Sequence, residues 1–167
     1  MPNYCENNLS IEGPIAECED FMKNIKSSEE EVCFEILLPV PKNVEDSEEW
    51  FVDNYGTKWN GLNSEFFSNE VSFYTAWSPP QPFFDTVSKM YPNLLFTLTY
   101  IESGMDFAGI AIFKNGNRLR DEYDSCGSEL AREIFGDDYI DEYFANWLVK
   151  KKSTFNIVLL DISLSLG

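Results

Sequence analysis

The side chains able to do chemistry in this chain are mainly carboxylates: 29 Asp and Glu against 12 Lys and Arg, a formal net charge of −17, and no histidine. Without imidazole there is no Ser-His-Asp or Cys-His constellation and no His-ligated zinc. The cysteines, Cys5, Cys18, Cys33 and Cys126, never form C-x-x-C, so neither a zinc knuckle nor a thioredoxin-like redox pair is expected. Their spacing predicts four reduced, mostly buried thiols. Asp121, Glu122 and Asp124, or Asp137, Asp138 and Asp141, offer oxygen ligands for a divalent cation. The D-x-[DN]-x-[DN]-G spacing of a calcium loop is absent, and helix-start or turn positions account for them more simply, so no metal is assigned. Lys58, a rare base in an acidic half, is either an amine of lowered pKa or, more simply, an ion-paired lysine packed on Trp59. Gly104 to Gly109 lacks the G-K-[ST] ending of a phosphate loop. No serine sits in a nucleophile elbow, and carboxylate pairs are too numerous to single out a glycosidase dyad. No catalytic residue or cofactor is assigned, and a non-enzymatic role is expected.

Charge is unevenly spread. Residues 1–80 carry 16 acids and 4 bases, and residues 81–167 carry 13 acids and 8 bases. Acids cluster at Glu29, Glu30 and Glu31, at Glu45, Asp46, Glu48 and Glu49, and at Asp137, Asp138, Asp141 and Glu142. Such a surface is repelled by phosphate backbones and drawn to basic grooves. The second cluster runs into Trp50 and Phe51, and with Phe66 and Phe67 these are candidate apolar anchors.

The elements that must position these groups follow from periodicity. Asn8 to Glu12 alternates as a strand; Ile15, Cys18, Phe21, Met22 and Ile25 form a helical stripe. Val32, Phe34 and Ile36 alternate as a second strand, stopped by Pro39 and Pro41. Residues 43–70 are irregular, with a short helix over Glu48 to Asp53, and form an expected insertion. Val71 to Trp77 predicts a third strand, Pro82 to Met90 a second long helix, and Leu94 to Tyr100 a fourth strand. This βαββαβ order is the split arrangement called ferredoxin-like, an α+β class. Asn115-Gly116 between two alternating runs predicts a further hairpin. Helices over Ser128 to Phe135 and Asp138 to Lys152 follow, then a strand from Phe155 onward with a bulge near Leu160. One domain is expected over 1–167, with a ferredoxin-like core over 1–115 and a C-terminal hairpin, helix and strand extension over 116–167. The N-terminal Met1-Pro2-Asn3-Tyr4-Cys5-Glu6 has no leader pattern and no run is long enough to span a bilayer, so a soluble, cytoplasmic protein is expected.

Four segments carry a resemblance: Met1 to Leu9, Asn54-Tyr55-Gly56-Thr57-Lys58-Trp59-Asn60, Thr75-Ala76-Trp77-Ser78-Pro79-Pro80, and Glu102-Ser103-Gly104-Met105-Asp106-Phe107-Ala108-Gly109. Over about residues 1–115 the chain resembles the YubB-like ferredoxin-like proteins of plasmids and phages. The resemblance implies that fold and a mobile-element origin, but no catalytic residues. Trp59 and Trp77 are expected in a shared core, with Gly56 and Gly104 at positive φ. Lys58, Trp59, Trp77 and Met105 are a candidate pocket. With the acidity, the implied function is an inhibitor, of anti-CRISPR or anti-restriction type, bound to the basic nucleic-acid surface of a host defence complex. The alternative is a small-molecule or nucleotide-signal binding module, although Lys58, Lys89, Arg118 and Arg120 are nearly all the cations available to a phosphate.

Overall fold

A computed structural model describes residues 3–146 and 149. The chain runs β1 (Tyr4–Glu12), α1 (Ile15–Asn24), α2 (Phe34–Leu37), α3 (Ser47–Tyr55), β2 (Leu62–Phe67), β3 (Glu70–Ala76), α4 (Gln81–Met90), β4 (Leu95–Glu102), β5 (Phe107–Lys114), β6 (Asn117–Asp124), α5 (Glu129–Phe135) and α6 (137–146). Six strands form one antiparallel sheet in the order β2-β3-β1-β4-β5-β6. β3 lies between β1 and β2, and β1 lies between β3 and β4. Each βαβ unit is therefore split by a strand of the other, which makes the first four strands ferredoxin-like. The β5–β6 hairpin extends the β4 edge, and its turn residues Asn115 and Gly116 take φ of 48° and 75°, the positive values that a two-residue hairpin turn demands.

Strand alternation sends Cys5, Leu9 and Ile11 of β1, Val71 and Phe73 of β3, and Phe96 and Leu98 of β4 to one face. Phe21 of α1, Phe83 and Phe84 of α4, and Tyr55 of α3 close over them. Face-to-edge and tilted ring contacts, such as Phe21 with Phe96 at 5.0 Å and Phe34 with Phe83 at 4.6 Å, give this core its shape. α5 and α6 cover part of the opposite face, where Ile101, Ala108, Cys126, Ala131 and Ile140 are buried.

Several expectations change. The strand expected at residues 32–36 does not form: Val32 makes a lone bridge to Lys26 and Phe34–Leu37 make a single helical turn. Its backbone is satisfied by side chains instead, Val32 N–H donating to Ser64 Oγ (2.9 Å) and Phe34 N–H to Asn60 Oδ1 (2.8 Å). The second strand of the ferredoxin-like unit comes from the irregular stretch, as β2. A bulge between Leu62 and Glu65 and a φ of 50° at Asn63 break the alternation that would have announced it. Ile15 is exposed, so the buried stripe of α1 starts at Cys18. The strand through Trp77 stops at Ala76, because Trp77 turns to φ 67°. The expected end of α6 and the strand from Phe155 lie outside the described residues.

Candidate interaction site at one end of the sheet

The four segments that carry the resemblance are far apart in sequence and converge where β1 begins and β3 and β4 end. Trp77 N–H donates to the Asn3 carbonyl (3.0 Å), and Asn3 Nδ2 reaches Glu102 Oε2 (3.5 Å). Glu102 is 2% exposed. Its carboxylate accepts from the backbone N–H groups of Gly104 (2.6 Å) and Met105 (2.8 Å), winding the β4–β5 turn around itself. The Thr57 hydroxyl donates to the Ala76 carbonyl (3.2 Å) and accepts from its N–H (3.0 Å), tying the Asn54–Asn60 segment to β3. Below them Asn7 Nδ2 bonds the carbonyls of Cys5 (2.9 Å) and Phe73 (3.3 Å) and the hydroxyl of Thr75 (2.9 Å). Asn7, Thr57, Thr75 and Glu102 are all buried, and every one has hydrogen-bond partners, as burial of polar groups requires.

Glycine is needed twice here. Gly56 caps α3 at φ 83°, and a Cβ on it would lie 2.5 Å from Pro82 Cδ. Gly104 is not at positive φ; that geometry falls to Asp106 (φ 58°). A Cβ at Gly104 would instead meet Asn3 Nδ2 at 2.1 Å.

Above this polar floor, Tyr4 (51% exposed), Trp77 (38%) and Met105 (62%) stand in solvent. Trp77 is therefore not in a core shared with Trp59. Trp59 is half-buried, and its indole N–H is buried without a partner among the described residues. Lys58 forms an ion pair with Glu48 (2.5 Å). Of the four residues expected to line a pocket, Lys58, Trp77 and Met105 are exposed and Trp59 is half-buried. Asn3, Tyr4 and Glu102 belong to this site and were missed as a group. Only their place inside the shared segments hinted at it.

The acidic clusters take separate places. On α3, Asp46 is the N-cap and accepts from the N–H groups of Glu48 (3.0 Å) and Glu49 (3.1 Å). Glu45, Glu49 and Asp53 are exposed without a cation among the described residues. Trp50 and Phe51 are not exposed anchors: both pack against the core through Tyr55. Phe66 is half-buried under the Lys26 ammonium (4.8 Å to the ring), whereas Phe67 is exposed. Of the turn acids, Glu30 pairs with Lys26 (3.0 Å), and Glu31 accepts from the N–H groups of Asn63 (3.2 Å) and Ser64 (2.8 Å) at the start of β2, while Glu29 is exposed. Asp137 and Asp141 share Arg132 (2.9 and 3.1 Å), and Asp138 and Glu142 are exposed. Asp121 pairs with Arg118 (2.6 Å) and Glu122 with Arg120 (2.6 Å). Among the described residues no three acids or thiols assemble in a way that could hold a metal ion.

Two thiols and a phenol near the site are held in their neutral forms. Burial pushes the Cys126 thiol up to about 12, helped by Asp106. Burial, with Glu102 close by, pushes Cys5 higher still. Burial and a hydrogen bond to Glu6 raise Tyr139, whose hydroxyl donates to Glu6 Oε1 at 2.5 Å. These thiols stay protonated near neutral pH and are not nucleophiles there.

No curated protein matches the chain. A crystal structure of the protein api92 from Yersinia pseudotuberculosis aligns at 15% identity with a TM-score of 0.46, covering 57% of this chain and 40% of that one, so the chain spans less than half of that protein's length. The family described as the ferredoxin-like domain in Api92-like protein matches residues 54–141, which hold β2 to β6, α4, α5, the Gly56 cap and the turn around Glu102. With more than half of its residues matched and the strand order that the description requires, the chain belongs to that Api92-like family with its ferredoxin-like domain.

Proposed function

We propose that this protein is a non-catalytic inhibitor of mobile-element origin, as its YubB-like segments imply. It binds the basic, nucleic-acid-binding surface of a host defence complex in the cytoplasm, of the CRISPR-effector or restriction-enzyme kind. The observation that carries this is the uncompensated outer side of α3. Glu45, Glu49 and Asp53 are exposed around the exposed Val52, with no cation to neutralise them among the described residues. The C-terminal end of this helix is tied to the segment that follows the exposed Trp77. Gly56 at the end of α3 abuts Pro79 and Pro82, and its carbonyl accepts from Ser78 Oγ (2.5 Å), next to Trp77. An acidic ridge on a helix that ends near an exposed Trp has the makeup of a charge-steered interface with an aromatic anchor. The α6 acids lie on the opposite layer and are not part of this surface.

The test uses a variant that spares the structural acids. Glu45→Lys, Glu49→Lys and Asp53→Lys leave the Asp46 cap and the Glu48–Lys58 pair intact. Nucleic-acid binding by a purified CRISPR effector or restriction enzyme from the host is measured with each protein as competitor. The wild type should displace the nucleic acid, more weakly as salt rises, and the triple variant should lose at least about tenfold in affinity, since rim and central charges act on steering and complementarity alike. Competition that ignores both salt and charge reversal would exclude charge mimicry.

A further inference from the structure

The geometry points to the part of the second sheet face that no described residue covers as a binding groove for one neutral, polyhydroxylated ring, a sugar. The pairing register sets the outward side chains of three adjacent strands in cross-strand rows. Asn8 stands between Ser72 and Thr99, and Ser10 stands between Glu70 and Thr97. Strands ~4.8 Å apart and two-residue steps of ~6.8 Å make this a grid of roughly 10 by 7 Å.

The grid is the floor of a groove of about 270 Å³. Phe67, 58% exposed and paired with Glu70 in the β2–β3 register, closes one side. The next row, Tyr74–Glu6–Ile101, closes one end, because Tyr139 of α6 comes down onto Glu6 there. α5 and α6 pack over Ile101 and Ala108, and no other described residue covers the two polar rows.

The chemistry of the lining selects the ligand. Hydroxyls of Ser10, Ser72, Thr97 and Thr99 and the amide of Asn8 have no side-chain partner among the described residues. Hydroxyls and amides donate and accept, so together they match a ring whose substituents also do both. Phe67 offers an apolar flank to the C–H side of such a ring. Among the described residues no Lys or Arg lines the groove, whereas Glu70 does and Glu6 is in the adjoining row, so an anionic ligand is repelled. The volume falls just below the roughly 300–1,000 Å³ common for drug-sized ligands, which suits one ring better than a chain. The groove is separate from the α3 surface, so its test stands or falls independently of the proposed function.

The experiment is amide chemical-shift titration of the full chain with glucose, N-acetylglucosamine, adenosine and glucose 6-phosphate. A neutral monosaccharide should perturb the amides of residues 8–10, 70–72 and 97–99 with saturable, millimolar affinity. The Thr97→Val, Thr99→Val variant keeps side-chain shape and strand propensity but removes two hydroxyls, and should bind about tenfold more weakly. Its unligated spectrum checks that it folds; if it does not, Ser72→Ala serves the same purpose. Any one of three results overturns the assignment: no perturbation of these residues at tens of millimolar sugar, undiminished binding by a folded hydroxyl-deleted variant, or glucose 6-phosphate binding as tightly as glucose. Binding of adenosine alone would also reject a sugar as the occupant.

Discussion

Glu102 shows how much one side chain organises in this molecule. It is nearly inaccessible, yet its carboxylate holds two backbone N–H groups of the β4–β5 turn and the Asn3 amide. Removing it leaves buried donors without partners, at about 1–3 kcal/mol for such groups. Glu102→Ala should therefore lower unfolding free energy by that order in urea titration, with Glu102→Gln recovering part of it. A loss below a few tenths of a kcal/mol would mean that water replaces the carboxylate. Gly56 is a second single-residue dependency, because both φ 83° and the contact with Pro82 oppose a side chain. Gly56→Ala is expected to destabilise by at least about 1 kcal/mol. Denaturant midpoints report it directly, and an unchanged midpoint would show that the α3–α4 junction relaxes freely.

At the scale of elements, α3 combines two roles that composition alone merges. Asp46 is a cap, Trp50, Phe51 and Tyr55 are core, Glu48 is paired with Lys58, and Glu45, Glu49, Val52 and Asp53 are unpaired surface among the described residues. Asp46→Ala should cost about 1 kcal/mol of stability as a lost N-cap. Glu45→Lys, just outside the helix, should leave the thermal midpoint nearly unchanged. Equal effects of the two changes would mean that Asp46 acts through charge and not through its bonds to the Glu48 and Glu49 N–H groups. α5 behaves similarly, with the Ser128 hydroxyl accepting from Ala131 N–H (3.1 Å) and Gly136 ending the helix.

For the whole molecule, two conditions should move stability. The eight ion pairs among the described residues occupy only five cations, so repulsion among the surplus carboxylates opposes compaction. Salt shortens the Debye length from roughly 30 Å at 0.01 M to about 8 Å at 0.15 M, so the melting temperature should rise over that range. A fall would mean that attractive pairs outweigh the surplus. Alkaline pH acts through the buried thiols and phenols. Burial raises Cys126 and Tyr143 each to about 12 in the folded state. Below the ordinary thiol and phenol values both states keep the proton, and stability is unaffected. Between those values and about 12 the unfolded chain loses protons that the folded chain retains, so stability falls as pH rises. Thermal melts across that window check this, and a flat profile would show these groups ionising equally in both states.

Local patterns alone carried the strands β1 and β3 to β6, the helices α1, α3, α4 and α5, and the hairpin turn at Asn115-Gly116. Each depends on periodicity or on a turn residue whose physics is local. The second strand of the split unit was not legible that way. Val32 to Ile36 alternates as well as any strand, but its backbone found side-chain partners in Ser64 and Asn60, while a bulged, less regular segment took the edge of the sheet. The site divides along the same line. The shared segments and the acidic surplus stand in the sequence. Their meeting around Asn3, the exposure of Trp77, the burial of Trp50 and Phe51, and the separation of the acids onto two layers were decided by packing. Those outcomes turn on contacts between residues up to 133 positions apart, which no local pattern encodes.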